Sequence, residues 1–181
     1  MFVYYTPGIT DAEITRMNDA IDDAVQKYLE YGIQIIPSTA SSSTELNYRT
    51  TSTTCAVIDT PNVECSGTCG NKADCTSKHH RNYAYYLNKL TSSQRVLRVV
   101  DWKLCSTTGT SDGYASSVGG KDMACNVNQD DLNYLIIHEF AHTLGLKDGY
   151  NGDEPNCEGE CIMYSRISRY FCAYCETLLP N

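Results

Sequence analysis

Between Ile14 and Leu29 the apolar residues fall at Ile14, Met17, Ile21, Ala24, Val25, Tyr28 and Leu29, with polar and charged residues between them. That spacing is the period of an α-helix with one buried face. Thr10 with Glu13 three residues on forms a capping box ahead of the run, and Gly32 closes it, so a long amphipathic backing helix is expected. A second run, Leu132, Leu135, Ile136, Phe140, Thr143 and Leu144, has the same period. With Asn128 as N-cap and Asp131 as its box-like partner, it predicts a helix over 129–144. Short apolar runs at 2–5, 33–36, 56–58 and 96–102, ended by Pro, Gly and Ser/Thr clusters, predict strands. Helix and strand alternate, so the fold class expected is α/β (α+β).

The second helix carries chemistry. His138 and His142 are four apart and therefore lie one above the other on one face, where both imidazoles can reach a single ion. Glu139 is rotated to the side of that face. From there its carboxylate can reach a zinc-bound water without ligating the metal, the position of a general base for amide hydrolysis. Two histidines leave the ion short of a protein ligand. Gly145 can adopt the left-handed conformation that ends a helix, so the chain can turn back and present Asp148 as the third ligand, leaving one position of the tetrahedron for water.

The stretch from His138 to Asp148, followed by Cys161-Ile162-Met163-Tyr164, resembles the metzincin clan of zinc metallopeptidases, in which HExxHxxGxx precedes a third ligand and a methionine turn. With aspartate as that ligand the motif is snapalysin-like. The resemblance implies a zincin fold: a twisted mixed β-sheet with an antiparallel edge strand, a backing helix, an active-site helix and a small C-terminal subdomain. It places Met163 beneath the metal. It also puts the substrate-binding edge strand at residues 113–118, with Gly113, Tyr114 and Ala115 pairing to an extended peptide by β-augmentation. Ser165 stands where many of these enzymes carry a tyrosine, so neither Tyr164 nor Tyr150 inherits that role, and oxyanion stabilisation falls to the zinc.

Composition narrows the partners. At 181 residues the chain suits one catalytic domain, with an upper part over about 1–145 and a lower part with the methionine turn over about 146–181. Lys and Arg total 14 against 22 Asp and Glu, a net charge of −8 that repels phosphate backbones and anionic membranes. Nucleic acid and membrane are thus not expected as partners; a protein or peptide substrate and a monomeric enzyme are. No run approaches the roughly 18–20 apolar residues of a membrane span, and residues 1–5 lack the charged start and apolar core of a signal peptide.

Ten cysteines, an even number, suit disulfides in an oxidising compartment, and hence a secreted, extracellular protein. Cys55, Cys65, Cys69 and Cys75 crowd a Gly/Ser/Thr/Asn-rich stretch that packing alone can hardly hold, and Cys105 with Cys125 can bracket the hairpin-like region before the active-site helix. The last four, Cys157, Cys161, Cys172 and Cys175, leave two readings open. They are candidates for disulfides, or, since their spacing partly resembles the tail of archaemetzincins, for a second, structural zinc beside the catalytic Zn2+. That resemblance is partial, because Gly149 follows Asp148 and the first cysteine comes only at Cys157.

Other features read as scaffold. His79 and His80 are adjacent and cannot face one ion from a helix, so they begin a short helix that continues through Tyr83, Tyr85, Tyr86, Leu87 and Leu90. The acidic residues Asp148, Asp153, Glu154, Glu158 and Glu160 lack EF-hand spacing and read as a solvated loop. The function expected is a secreted zinc endopeptidase that hydrolyses peptide bonds through a zinc-bound water activated by Glu139. Two alternatives are an intracellular archaemetzincin-like aminopeptidase with a second structural zinc, and a non-catalytic, disulfide-stapled binding module.

Overall fold

Thr10 begins the first helix as the sequence requires: its hydroxyl accepts from the Glu13 amide at 3.3 Å while the Glu13 carboxylate accepts from the Thr10 amide at 2.8 Å. From that box, in a computed structural model of the chain, α1 runs over Asp11–Glu30, and Gly32 turns the chain out of it at φ 76°. The structure describes residues 1–5, 9–39, 90–101, 104–106, 109–115, 117–150, 157, 159–164 and 168–180. The expected strand at 56–58, the helix after His79 and His80, Cys55 to Cys75 and most of the acidic loop lie outside them.

Beneath α1 lies a five-stranded sheet built from β1 (Phe2–Tyr5), β2 (Ser38–Thr39), β3 (Val96–Val100), β6 (Gly113–Ala115) and β7 (Asp122–Asn126). Its order is β2-β1-β3-β7-β6, parallel except for β6, which runs antiparallel to β7 at the edge with Gly113 opposite Cys125 and Ala115 opposite Met123. A separate hairpin joins β4 (Leu104–Ser106) to β5 (Gly109–Ser111). The mixed sheet with an antiparallel edge is the architecture expected. β3 and β7 are buried along their whole length, as central strands covered on both faces must be.

The second helix, α2, spans Leu132–Thr143, and every residue in it except Asn133 is buried. It packs on α1 and the sheet; the Tyr28 hydroxyl of α1 donates to the Ile137 carbonyl at 2.6 Å, and the Tyr28 ring lies 4.9 Å from that of Phe140. A short helix, α3 (Ala173–Leu178), completes the lower part. Among the described residues no helix is long and apolar enough to cross a membrane.

Three expectations need correction. α2 begins at Leu132, not at 129, with Asp131 rather than Asn128 as its cap: the Asp131 carboxylate accepts from the Tyr134 amide, while the Asn126 side chain takes the Asn128 amide and holds 126–129 as a turn. Residues 33–36 are not a strand. Only Ile35 of them is buried, Ile36 is largely exposed, and the parallel pairing to β1 falls two residues later. β7 was not expected at all, because its Asp-Met-Ala-Cys-Asn sequence neither alternates nor forms an apolar run.

Candidate active site

The C-terminal end of α2 builds the site. Gly145 takes φ 105°, and the chain closes a Schellman turn in which the Gly145 amide donates to the His142 carbonyl at 3.0 Å and the Leu146 amide to Ala141 at 3.1 Å. This turn buries Leu146 and sends the chain back past the histidines, so that Asp148 arrives beside them.

His138 Nε2 and His142 Nε2 stand 3.1 Å apart, and Asp148 Oδ1 lies 3.1 Å from the first and 3.3 Å from the second. Bonds of 2.0–2.1 Å to a tetrahedral zinc require ligand atoms about 3.3 Å apart, so the triangle has the dimensions of three corners of such a site. The proton placement fits too. His142 Nδ1 donates to the Leu146 carbonyl at 2.8 Å and His138 Nδ1 donates to the Ile162 carbonyl at 3.1 Å, acceptors that fix each proton on Nδ1 and leave both Nε2 lone pairs pointing into the triangle. Two lone pairs and a carboxylate oxygen facing one another repel unless a cation sits among them. Burial pushes the His142 pKa down, but Asp148, Glu139 and the Leu146 carbonyl outweigh burial and raise it to about 9. Burial pushes Asp148 the other way, yet the two histidines hold its carboxyl well below the usual carboxylate range.

Glu139 is buried beside this triangle, with its carboxylate against the edge strand. A Cβ on Gly113 would fall 2.7 Å from Glu139 Cδ and 2.5 Å from Leu135 Cδ1, so only glycine lets β6 come this close. Gly113, Tyr114 and Ala115 form β6 itself, and residues 117–120 form a turn closed by the Gly120 amide on the Ser117 carbonyl at 2.8 Å, leaving Val118 exposed outside the strand. Met163 is fully buried in the turn after Cys161, and its carbonyl accepts from the Gly149 amide at 2.9 Å.

Sequence reasoning missed Tyr134. Its ring stacks on His138 at 5.3 Å and its hydroxyl oxygen lies 3.1 Å from Nδ1. The signal was available in the spacing, since Tyr134 stands four residues before His138 on the same helical face. The Leu146 and Ile162 carbonyls were not legible, because any residue type supplies a carbonyl. Tyr150, half-exposed, lies with its ring 6.3 Å from that of His138 and nearly parallel to it.

The four tail cysteines come together in a second cluster. Cys157 Sγ stands 3.5 Å from Cys175 and 4.0 Å from Cys172, Cys161 stands 3.6 Å from Cys175, and all four sulfurs lie within 4.8 Å of one another. A disulfide brings two sulfurs to about 2.05 Å. A tetrahedral zinc with bonds of about 2.3 Å spaces four of them about 3.8 Å apart, and that is the arrangement found. The Cys172 amide donates to Cys161 Sγ at 3.3 Å, and the contact with Cys175 together with such amide bonds holds the Cys161 pKa below its ordinary value. Cys125 is also a free thiol, buried on β7, so no disulfide occurs among the five cysteines whose side chains are described. Of the two readings left open for the tail, the sulfur spacing fits the metal and not the disulfides.

No protein-family model and no curated protein matches the sequence. Solved structures do. A zinc-dependent peptidase from Methanocorpusculum labreanum superposes with a TM-score of 0.60 at 12% identity, over 99% of this chain and 99% of that one. An archaemetzincin from Methanopyrus kandleri superposes with a TM-score of 0.53 at 15% identity, over 98% of this chain and 91% of that one. At such identities the likeness is one of fold, and the chain has the zincin-like fold of these peptidases.

Proposed function

We propose that this protein is a zinc-dependent peptidase in which His138, His142 and Asp148 hold the metal and Glu139 is the general base. The observation that carries the reading is the triangle of two Nε2 atoms and one carboxylate oxygen, sized for zinc, with a buried carboxylate beside it and an antiparallel edge strand next to that carboxylate. When bound, zinc supplies Lewis acidity, lowering the pKa of a coordinated water to about 7 and polarising the scissile carbonyl. Glu139 takes the proton of the attacking water and passes it to the leaving amine. The Ile162 and Leu146 carbonyls hold the Nδ1 proton of each imidazole and so aim its Nε2 into the triangle, and the backbone of β6 pairs with the extended substrate.

The position of Gly113 gives this reading a consequence. Gly113→Ala forces Glu139 or Leu135 to move, and a misplacement of this order lowers kcat by about 10²-fold. Steady-state kinetics beside the melting temperature check it, with the loss appearing in kcat at a little-changed melting temperature.

Endopeptidase action is the first form of the proposal. Archaemetzincin-like aminopeptidase action is the second, and the four-sulfur cluster favours it, since that tail spacing is where the archaemetzincin resemblance lies. Both forms take Zn2+, the second with a further, structural zinc at Cys157, Cys161, Cys172 and Cys175. The cluster also bears on compartment. Five of the ten cysteines are free thiols, so disulfides of a secreted protein would have to come from Cys55, Cys65, Cys69, Cys75 and Cys105. A pair of peptides differing only in N-terminal acetylation separates the two actions: an endopeptidase cuts both inside the chain, whereas an aminopeptidase releases the first residue of the free peptide and spares the acetylated one.

A further inference from the structure

Two short stretches of backbone lie between the four-cysteine cluster and the His138, His142 and Asp148 site, and each touches both. Ile162 follows Cys161 directly, and its carbonyl receives the His138 Nδ1 proton at 3.1 Å. The same residue is braced from the cluster side: its amide donates to the Tyr170 carbonyl at 2.7 Å, Cys161 and Tyr170 form a bridge, and the Cys172 amide donates to Cys161 Sγ. Gly149 follows Asp148 directly. Its amide donates to the Met163 carbonyl at 2.9 Å, and it is packed so tightly on Cys157 that a Cβ would fall 2.8 Å from the Cys157 carbonyl oxygen and 2.9 Å from its sulfur.

We infer that the four-cysteine cluster is a positioning element for the catalytic metal site, so that metal bound by the four sulfurs sets how tightly His138, His142 and Asp148 hold theirs. The inference rests on the proposed metal ligation. Four sulfurs within 4.8 Å of one another, three of the pairs at 3.5–4.0 Å, stay together as thiolates only around a cation. Cys157 and Cys161 cannot move without moving what they touch. Displacing Cys157 releases the floor under Gly149 and lets Asp148 leave the triangle, and displacing Cys161 carries the Ile162 carbonyl away from His138. Outer partners that orient a ligand are worth about 10–100-fold in metal affinity, and a coupling of this kind is reciprocal between the two sites.

The test reads metal affinity rather than peptide hydrolysis, so a chain that binds zinc but cleaves nothing refutes the proposed function without touching this inference. The full-length protein is titrated with zinc against a chromophoric chelator, and the binding step lost in Asp148→Ala marks the catalytic site. Cys172→Ser, which removes the most exposed of the four sulfurs, weakens that catalytic step about 10–100-fold, and Cys172→His, which restores a nitrogen ligand to a Cys₃His set, recovers most of the loss. Gly149→Ala keeps all four sulfurs and weakens both steps together. It also decides the matter if Cys172→Ser does not fold. A catalytic step within twofold of the parent in Gly149→Ala, or in folded Cys172→Ser with its cluster empty, overturns the inference.

Discussion

Glu139→Gln lowers kcat for peptide hydrolysis by about 10²–10⁴, the range general acid–base catalysis contributes, while zinc content and melting temperature stay close to the parent. That loss corresponds to about 3–5 kcal/mol of transition-state stabilisation. Glutamine is the informative replacement because it keeps the shape that packs against Gly113 and removes only the ability to take a proton. Glu139 is buried beside the triangle and is not one of its three donor atoms, so its loss should separate chemistry from metal binding. Single-turnover rates measured beside zinc stoichiometry check the prediction. Equal rates for variant and parent would remove Glu139 from the mechanism.

The second large effect is at Asp148. Asp148→Ala weakens zinc at the histidine pair by more than the roughly 10–100-fold that loss of an outer partner costs, because a ligand atom itself is gone. Activity falls with it at zinc concentrations that saturate the parent. The four-cysteine site keeps its ion, so elemental analysis falls from two zinc ions per chain toward one. Asp148→His puts a nitrogen donor back at the same position and therefore restores binding that Asp148→Ala loses. Chelator competition gives the affinities; unchanged metal content in Asp148→Ala would assign the third ligand elsewhere.

The parts of the molecule that local sequence dictates were legible in it. The Thr10–Glu13 box and the apolar spacing from Met17 to Tyr28 define α1 because both act within a few residues. The same holds for the four-residue spacing of His138 and His142 and for the glycine that ends their helix. What could not be read depends on long-range contact. β7 is buried because β3 and β6 flank it, and nothing within its five residues announces that. The start of α2 was misplaced because Asn126 turns back on Asn128, leaving Asp131 to cap the helix. The cysteines show the limit most clearly: their count is even, which suits pairing, but only the geometry shows Cys157 and Cys161 meeting Cys172 and Cys175 as a group of four rather than as two pairs.

That geometry also changes how the two halves of the site relate. The methionine turn lies between two donor sets, with Cys161 on one side and the Ile162 carbonyl facing His138 on the other. A metal bound there would hold more than the tail, since the same turn receives the Gly149 amide next to Asp148. Residues 146–181 thereby carry Asp148, the Leu146 and Ile162 carbonyls that face the two imidazoles, and the buried Met163.

The proposed chemistry is zinc-dependent cleavage of peptide bonds at the three donor atoms of His138, His142 and Asp148. Its most direct test is to map cut sites by mass spectrometry in a defined peptide mixture, using the protein as purified, after zinc removal by a chelator, and after zinc is restored. The account predicts new termini in the first and third samples and none in the second. Cleavage that persists without zinc, or a fully zinc-loaded protein that produces no new termini, would contradict it.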